Sequence, residues 1–214
     1  MKKIHEIEKG GARKVGRSRR DEQKEQLRDF ILQKASEQFL EWGYNDFSMR
    51  KLAERIGYSP ATLYLYFRDK DDLLFTVVDE AFARFQCQLS EAADSTADPW
   101  ERLGRLGDTY IRFGLNNPVH YQLMFMWRSD YLTKSRHGEE TPRFAAFQVL
   151  SDAVRYAMDQ GAMKPGETEV YSDILWAMMH GVVALAIQMP MFDEDRTAKL
   201  AKHSRDMIYM ALNR

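Results

Sequence analysis

Residues 47–70 read FSMRKLAERIGYSPATLYLYFRDK, and their polar side chains gather at the starts of short helical patterns. Ser48 and Ser59 are N-cap residues, whose hydroxyls accept from the first unpaired backbone N–H groups of a helix. Those same N–H groups and the positive end of the helix dipole suit a phosphate. Arg50 adds a cation one turn into the first helix, and Tyr58 and Thr62 add hydroxyls around the second. Tyr64 and Tyr66 follow at a spacing that cannot place both on one helix face, so at least one must be exposed. This inventory binds phosphates and base edges. It sets no nucleophile beside a base.

The elements that position these groups are two short helices and a tight turn. Met49, Leu52, Ala53 and Ile56 form the apolar side of the first. Gly57 ends it, because the residue there must be left-handed and glycine adopts that conformation without a steric penalty. Pro60 sits in the first turn of the second helix, where its missing N–H is not needed. Leu63 and Phe67 face inward, and Ala53 is small where the helices cross. This is the spacing of a helix-turn-helix, whose second helix enters a major groove.

The rest of the chain is helical in pattern. Amphipathic or apolar helices are expected over 21–42, 70–93, 99–116, 118–127, 142–160, 169–189 and 193–212, with a loop over 129–141 and no strand. The implied fold is all-α: a three-helix DNA-binding domain (21–69) behind a flexible basic arm (1–20), then a six-helix domain (70–214). The arm carries six basic and no acidic residues from Lys9 to Arg20, although the net charge of the whole chain is −1. One cysteine, Cys87, excludes an internal disulfide and is expected as a small buried apolar residue. The N-terminus has no apolar signal-peptide core, and the protein is expected in the cytoplasm. Residues 174–192 carry no formal charge over 19 positions, but His180, Gly181, Gln188 and Pro190 favour a helix–helix interface over a membrane span.

The end of the first helix, Phe39-Leu40-Glu41-Trp42-Gly43-Tyr44, the segment 48–67 and Asp69-Lys70-Asp71-Asp72-Leu73-Leu74 together resemble the transcriptional regulators of the tetracycline-repressor (TetR) family. The resemblance covers roughly residues 25–75 and implies a dimeric, ligand-responsive regulator of a palindromic operator, usually a repressor. It implies phosphate contacts from Tyr64, Tyr66 and Lys70. It also implies a four-helix dimer interface from the last two helices, where Ala177, Gly181, Ala184 and Gln188 form a small-residue face. Leu200, Ser204, Met207, Ile208 and Ala211 supply the facing stripe.

Base readout is unusual here. The residues exposed around the recognition helix are Tyr58, Ser59, Pro60, Ala61, Thr62 and Leu65, and none is Arg, Lys, Asn or Gln. Bidentate reading of guanine or adenine is therefore absent from this helix. The expected reading is of thymine methyls by Pro60, Ala61 and Thr62, with DNA shape and Arg17, Arg19 and Arg20 of the arm supplying the rest.

For the larger domain the expected ligand residues are Tyr110, Phe113, His120, Tyr121, Met124, Phe125, Phe147, Trp176 and His180, an aromatic and Met-rich set suited to a small apolar or amphipathic effector. No metal-ligand spacing, cofactor motif or catalytic arrangement stands out, and no enzyme is expected. Two other readings stay open at this level. One is an architectural DNA binder without effector. The other is a helical enzyme or carrier containing a helix-turn-helix-like unit.

Overall fold

The computed structural model of the protein describes residues 19–127 and 142–214; Arg17, the expected 129–141 loop and most of the basic arm lie outside the described residues. The described residues form nine helices: α1 (Arg19–Asp46), α2 (Met49–Ile56), α3 (Pro60–Tyr64), α4 (Lys70–Asp94), α5 (Pro99–Asn116), α6 (Pro118–Phe125), α7 (Pro142–Asp159), α8 (Thr168–Gln188) and α9 (Glu194–Leu212). Extended pairing among them is limited to one isolated bridge between Met163 and Asn213. The fold is all-α, as the hydrophobic period requires.

The helix-turn-helix forms as its caps dictate. Ser48 Oγ accepts from Lys51 N–H at 3.2 Å, and Ser59 Oγ accepts from Thr62 N–H at 3.1 Å. Gly57 takes φ 78°, ψ 25°, and its left-handed turn aims α3 across α2. Leu52, Ala53 and Leu63 are fully buried where the two helices meet. α3 is shorter than the pattern suggested. The Tyr66 and Phe67 amides both return to the Leu63 carbonyl at 3.0 Å, so the helix tightens and stops while Phe67 still reaches the core. The chain can then turn into Asp69, whose carboxylate caps α4 by accepting from Asp72 N–H at 2.8 Å. α1 closes the domain. Its Phe39 stacks on Phe47 with ring centroids 3.8 Å apart.

α4 is the central element and packs against α1, α5, α6 and α7. Its buried residues run from Leu73 through Val77, Val78, Ala81, Phe82, Phe85 and Leu89 to Ala93. Cys87 is a correction to the sequence reading: it is exposed, with its thiol donating to Glu91. Two positions past Phe85, it falls on the opposite side of the helix from the buried stripe. That contact with Glu91 raises the thiol above its ordinary pKa, so the sulfur stays protonated.

α5 crosses α8 closely at Gly114, where an added Cβ would meet Val183 Cγ1 at 2.4 Å and the Tyr121 ring at 3.0 Å. Gly104, on the same helix, is open: a Cβ there meets only Arg205 Nη1, at 3.9 Å. The two sites therefore separate packing from propensity. Gly104→Ala should be neutral or stabilise by up to about 1 kcal/mol through helix propensity. Gly114→Ala should destabilise by about 1–3 kcal/mol, since overpacking exceeds that gain. Urea denaturation of both variants measures this; equal midpoints would remove the crossing argument.

Candidate nucleic-acid interface and ligand cavity

Most of the expected DNA-facing groups on and around α3 are exposed. Tyr58, Ser59, Ala61, Tyr64 and Leu65 are exposed, with Tyr64 at 54 % and Leu65 at 78 %. Tyr66 is half-buried against the core, so the two tyrosines divide as their spacing requires. The Thr62 hydroxyl is within 2.9 Å of the Ser59 hydroxyl, which orients the threonine side chain before any DNA arrives. Arg50 is highly exposed and pairs with Glu54 at 2.9 Å. Arg19 and Arg20 open α1 on its exposed first turn. Arg68, which the sequence reading passed over, is also exposed, with Asp72 3.6 Å away.

Lys70 is held rather than free. Its ammonium lies 3.9 Å from the centroid of the Tyr44 ring and donates to the Tyr44 carbonyl at 3.2 Å. The Tyr44 hydroxyl in turn donates to the Asp71 carboxylate. This clamp joins the end of α1 to the start of α4, directly after the recognition helix in sequence.

The second site is a cavity of about 340 Å³ walled by α4, α5, α7 and α8. Phe82, Phe85 and Leu89 come from α4, Leu106 and Tyr110 from α5, Phe147 and Leu150 from α7, and Trp176 and Met179 from α8. Phe125 closes one wall, and Phe144 at the mouth is 73 % exposed. Two charged residues border it, Arg143 and Asp173. A second cleft of about 530 Å³ lies beyond Met179 between α5, α8 and α9, next to Gly104 and Gly107.

At the inner wall four polar groups bind one another. Trp176 Nε1–H donates to the Tyr110 hydroxyl at 3.1 Å, Tyr110 and Tyr121 share a hydrogen bond of 2.9 Å, and Tyr121 Oη lies 2.6 Å from His180 Nδ1. Either neutral imidazole tautomer completes the chain. Burial pushes Tyr110 up to about 12 despite its hydrogen bonds, and pushes Tyr121 up as well. Burial also holds the His180 imidazole below its ordinary pKa.

Of the expected ligand residues, the structure brings Tyr110, Phe125, Phe147 and Trp176 to the cavity. Tyr121 and His180 stand behind them in the polar chain. Phe113 and Met124 are buried in the packed interior, and His120 lies half-buried off the cavity lining. The α4 residues and Arg143 were missed. The former share the helical period of core residues, and the latter is one arginine beside two aromatic positions at a helix start.

The expected dimer residues lie on α8 and α9. Ala177, Gln188, Met207 and Ala211 are exposed, while Gly181, Ala184, Leu200, Ser204 and Ile208 are partly covered within the chain. Ile174, Met207, Tyr209 and Met210 add large exposed apolar surface. Among the described residues, α8 is the one helix long and apolar enough to cross a membrane, but it packs against α5, α7 and α9.

Residues 31–77 match the model for bacterial regulatory proteins of the tetR family, and residues 103–207 match the tetracyclin repressor-like C-terminal domain. The HTH-type transcriptional activator FasR of Mycolicibacterium smegmatis is 30% identical over 145 residues, 68% of this chain and 63% of that protein's length. Among solved structures, the fatty acid degradation regulator FadR from Bacillus halodurans superposes with TM-score 0.72 at 20% identity, covering 85% of this chain and 94% of that one. A ketosteroid transcriptional regulator of Mycobacterium tuberculosis gives TM-score 0.68 at 15% identity, covering 88% and 95%. These two structures show the shared fold.

The polar chain yields a pH prediction. A folded-state imidazole held below the ordinary value of 6.5 binds fewer protons than the unfolded chain. Its stabilising share is therefore present above that value and is lost as pH falls below it. His120 acts with the same sign, through burial and then Arg84. His180→Gln keeps a hydrogen-bonding partner for Tyr121 and removes the titration. Between pH 7.5 and 5.5 the variant should lose less stability than the parent in urea melts. Parallel curves would refute the assignment.

Proposed function

This chain belongs to the tetR family of bacterial regulatory proteins, and from that premise we propose that it is a ligand-responsive regulator which binds a palindromic operator as a homodimer. A small apolar or amphipathic effector, entering the cavity behind α4, changes its hold on DNA. The observation that carries this is the course of α4. Lys70 at its start comes directly after the recognition helix in sequence, and Phe82, Phe85 and Leu89 further along wall the cavity. A ligand that binds two positions of α4 unequally shifts the spacing of the recognition helices in a dimer. Such a protein works where the DNA is, in the cytoplasm.

The sequence reading favours repression. A relative is named an activator, so family membership does not fix the sign of control. The DNA contacts proposed for α2 and α3 are phosphate contacts from Ser48, Tyr64, Tyr66 and Lys70, with Pro60, Ala61 and Thr62 against thymine methyls. The division into a DNA-binding unit (21–69) and an effector and dimerisation unit (70–214) belongs to the same proposal.

Homodimerisation is supported by the apolar surface on α8 and α9, where a Cβ built at Gly181 meets nothing within 4 Å. A large side chain there fits the isolated protomer and blocks a close partner helix. Gly181→Arg should sediment as a monomer with unchanged helical circular dichroism, while the parent sediments as a dimer. A dimeric variant would move the interface elsewhere.

DNA binding is tested by anisotropy on the region upstream of the protein's own gene. Lys70→Ala should weaken binding on all sequences alike and reduce the salt slope by about one per half-site. An unchanged slope would take Lys70 off the phosphate backbone.

A further inference from the structure

We propose that the effector carries an anionic head group, a carboxylate or phosphate on an apolar chain, and that it displaces Asp79 from Arg143. The proposal rests on the cavity being the effector site and names the class of molecule it takes. The lining is aromatic and aliphatic except for Arg143 and Asp173. Arg143 enters from the first turn of α7, and its side chain is only 10% exposed. Asp173 is exposed, so water and salt screen its charge, whereas the buried guanidinium acts at close range. Tyr110 and Trp176, the other polar groups of the wall, hydrogen-bond to each other. The buried charged side chain that an entering ligand meets in the lining is therefore a cation, Arg143. A planar guanidinium matches a carboxylate or phosphate in a two-pronged contact.

Arg143 is engaged with α4. Its Nη2 lies 3.8 Å from Oδ1 of Asp79, whose side chain is 29% exposed. The next residue, Glu80, reaches the other way and pairs with Arg28 of α1 at 2.5 Å. The Arg28 guanidinium lies 5.8 Å from the centroid of the Phe67 ring, behind the recognition helix. Two adjacent carboxylates of α4 thus face the cavity's arginine and the DNA-binding helices respectively. An anion on Arg143 competes with Asp79 for the same cation and alters the restraint on α4 next to its tie to α1. The anion is then the differential contact that a population shift requires.

Calorimetry on the full-length protein tests this with dodecanoate, dodecyl phosphate and dodecanol, each below its micelle concentration. Dodecanoate or dodecyl phosphate should bind at least about tenfold more tightly than dodecanol. The comparison between the two anions assigns the head group. Arg143→Gln should abolish that preference yet leave dodecanol affinity within about twofold, which also shows the variant folded. Asp79→Asn should tighten the anion, because its competitor is gone. Glu80→Gln should keep the anion's affinity and lose most of its effect on DNA binding. Equal affinity for all three probes in the parent protein would overturn the anionic head group and spare the cavity. Weaker anion binding by Asp79→Asn would overturn the exchange. Failure of every probe to bind would overturn the effector cavity and this proposal with it.

Discussion

The structure depends on one central helix shared by the helix-turn-helix core and the cavity. α4 has 25 residues, a span of roughly 37 Å at the α-helical rise. Its first turns complete the core beneath the helix-turn-helix, and its later turns wall a cavity. Each end is packed against different partners, so neither can shift without disturbing the other's contacts. Close-packed interiors pass on such shifts as discrete rearrangements, because a sub-ångström misfit already loses dispersion contacts. The Lys70–Tyr44–Asp71 clamp fixes the helix at the DNA end. The close crossing of α5 and α8 at Gly114 fixes the helices around it.

The cavity's chemistry follows from where its polar groups are spent. Tyr110, Tyr121, Trp176 and His180 could have oriented a polar ligand, yet they satisfy one another at 2.6–3.1 Å. A buried hydroxyl or imidazole left without a partner costs about 1–3 kcal/mol, so this chain is a requirement of burying those groups. It leaves a wall of aromatic surface with an arginine at one side. Family likeness alone would not indicate this, since regulators named for fatty acid degradation and for ketosteroids superpose on the chain about equally well.

The recognition surface presents the opposite situation. Its side chains are short, apolar or hydroxylic, and the Ser59–Thr62 contact further restricts the hydroxyl nearest the bases. On the proposed reading, affinity comes from phosphates, and discrimination from methyl contacts and the deformability of the site. The proposed dimer would supply two half-sites, and its specificity would then rest on the apolar faces of α8 and α9.

Much of the chain was legible from its residues. Ser48, Gly57, Ser59, Pro60 and Asp69 punctuate helices by local rules, and the structure places each at the terminus its chemistry requires. That Tyr64 or Tyr66 must be exposed followed from spacing alone, and the structure exposes Tyr64. Three features were not legible. Cys87 was taken for core, because a single residue's face depends on the exact phase of a long helix. Phe82, Phe85 and Leu89 were not among the expected ligand residues, since a side chain that lines a void and one that fills it share the same period. Arg143 meets Asp79 across 64 positions of chain, and no pattern in either segment points to the other. Capping and periodicity are properties of neighbours in sequence and act before the chain folds. Whether helices pack tightly or leave a cavity is decided only when four of them meet, by the summed volumes of side chains that the sequence lists far apart.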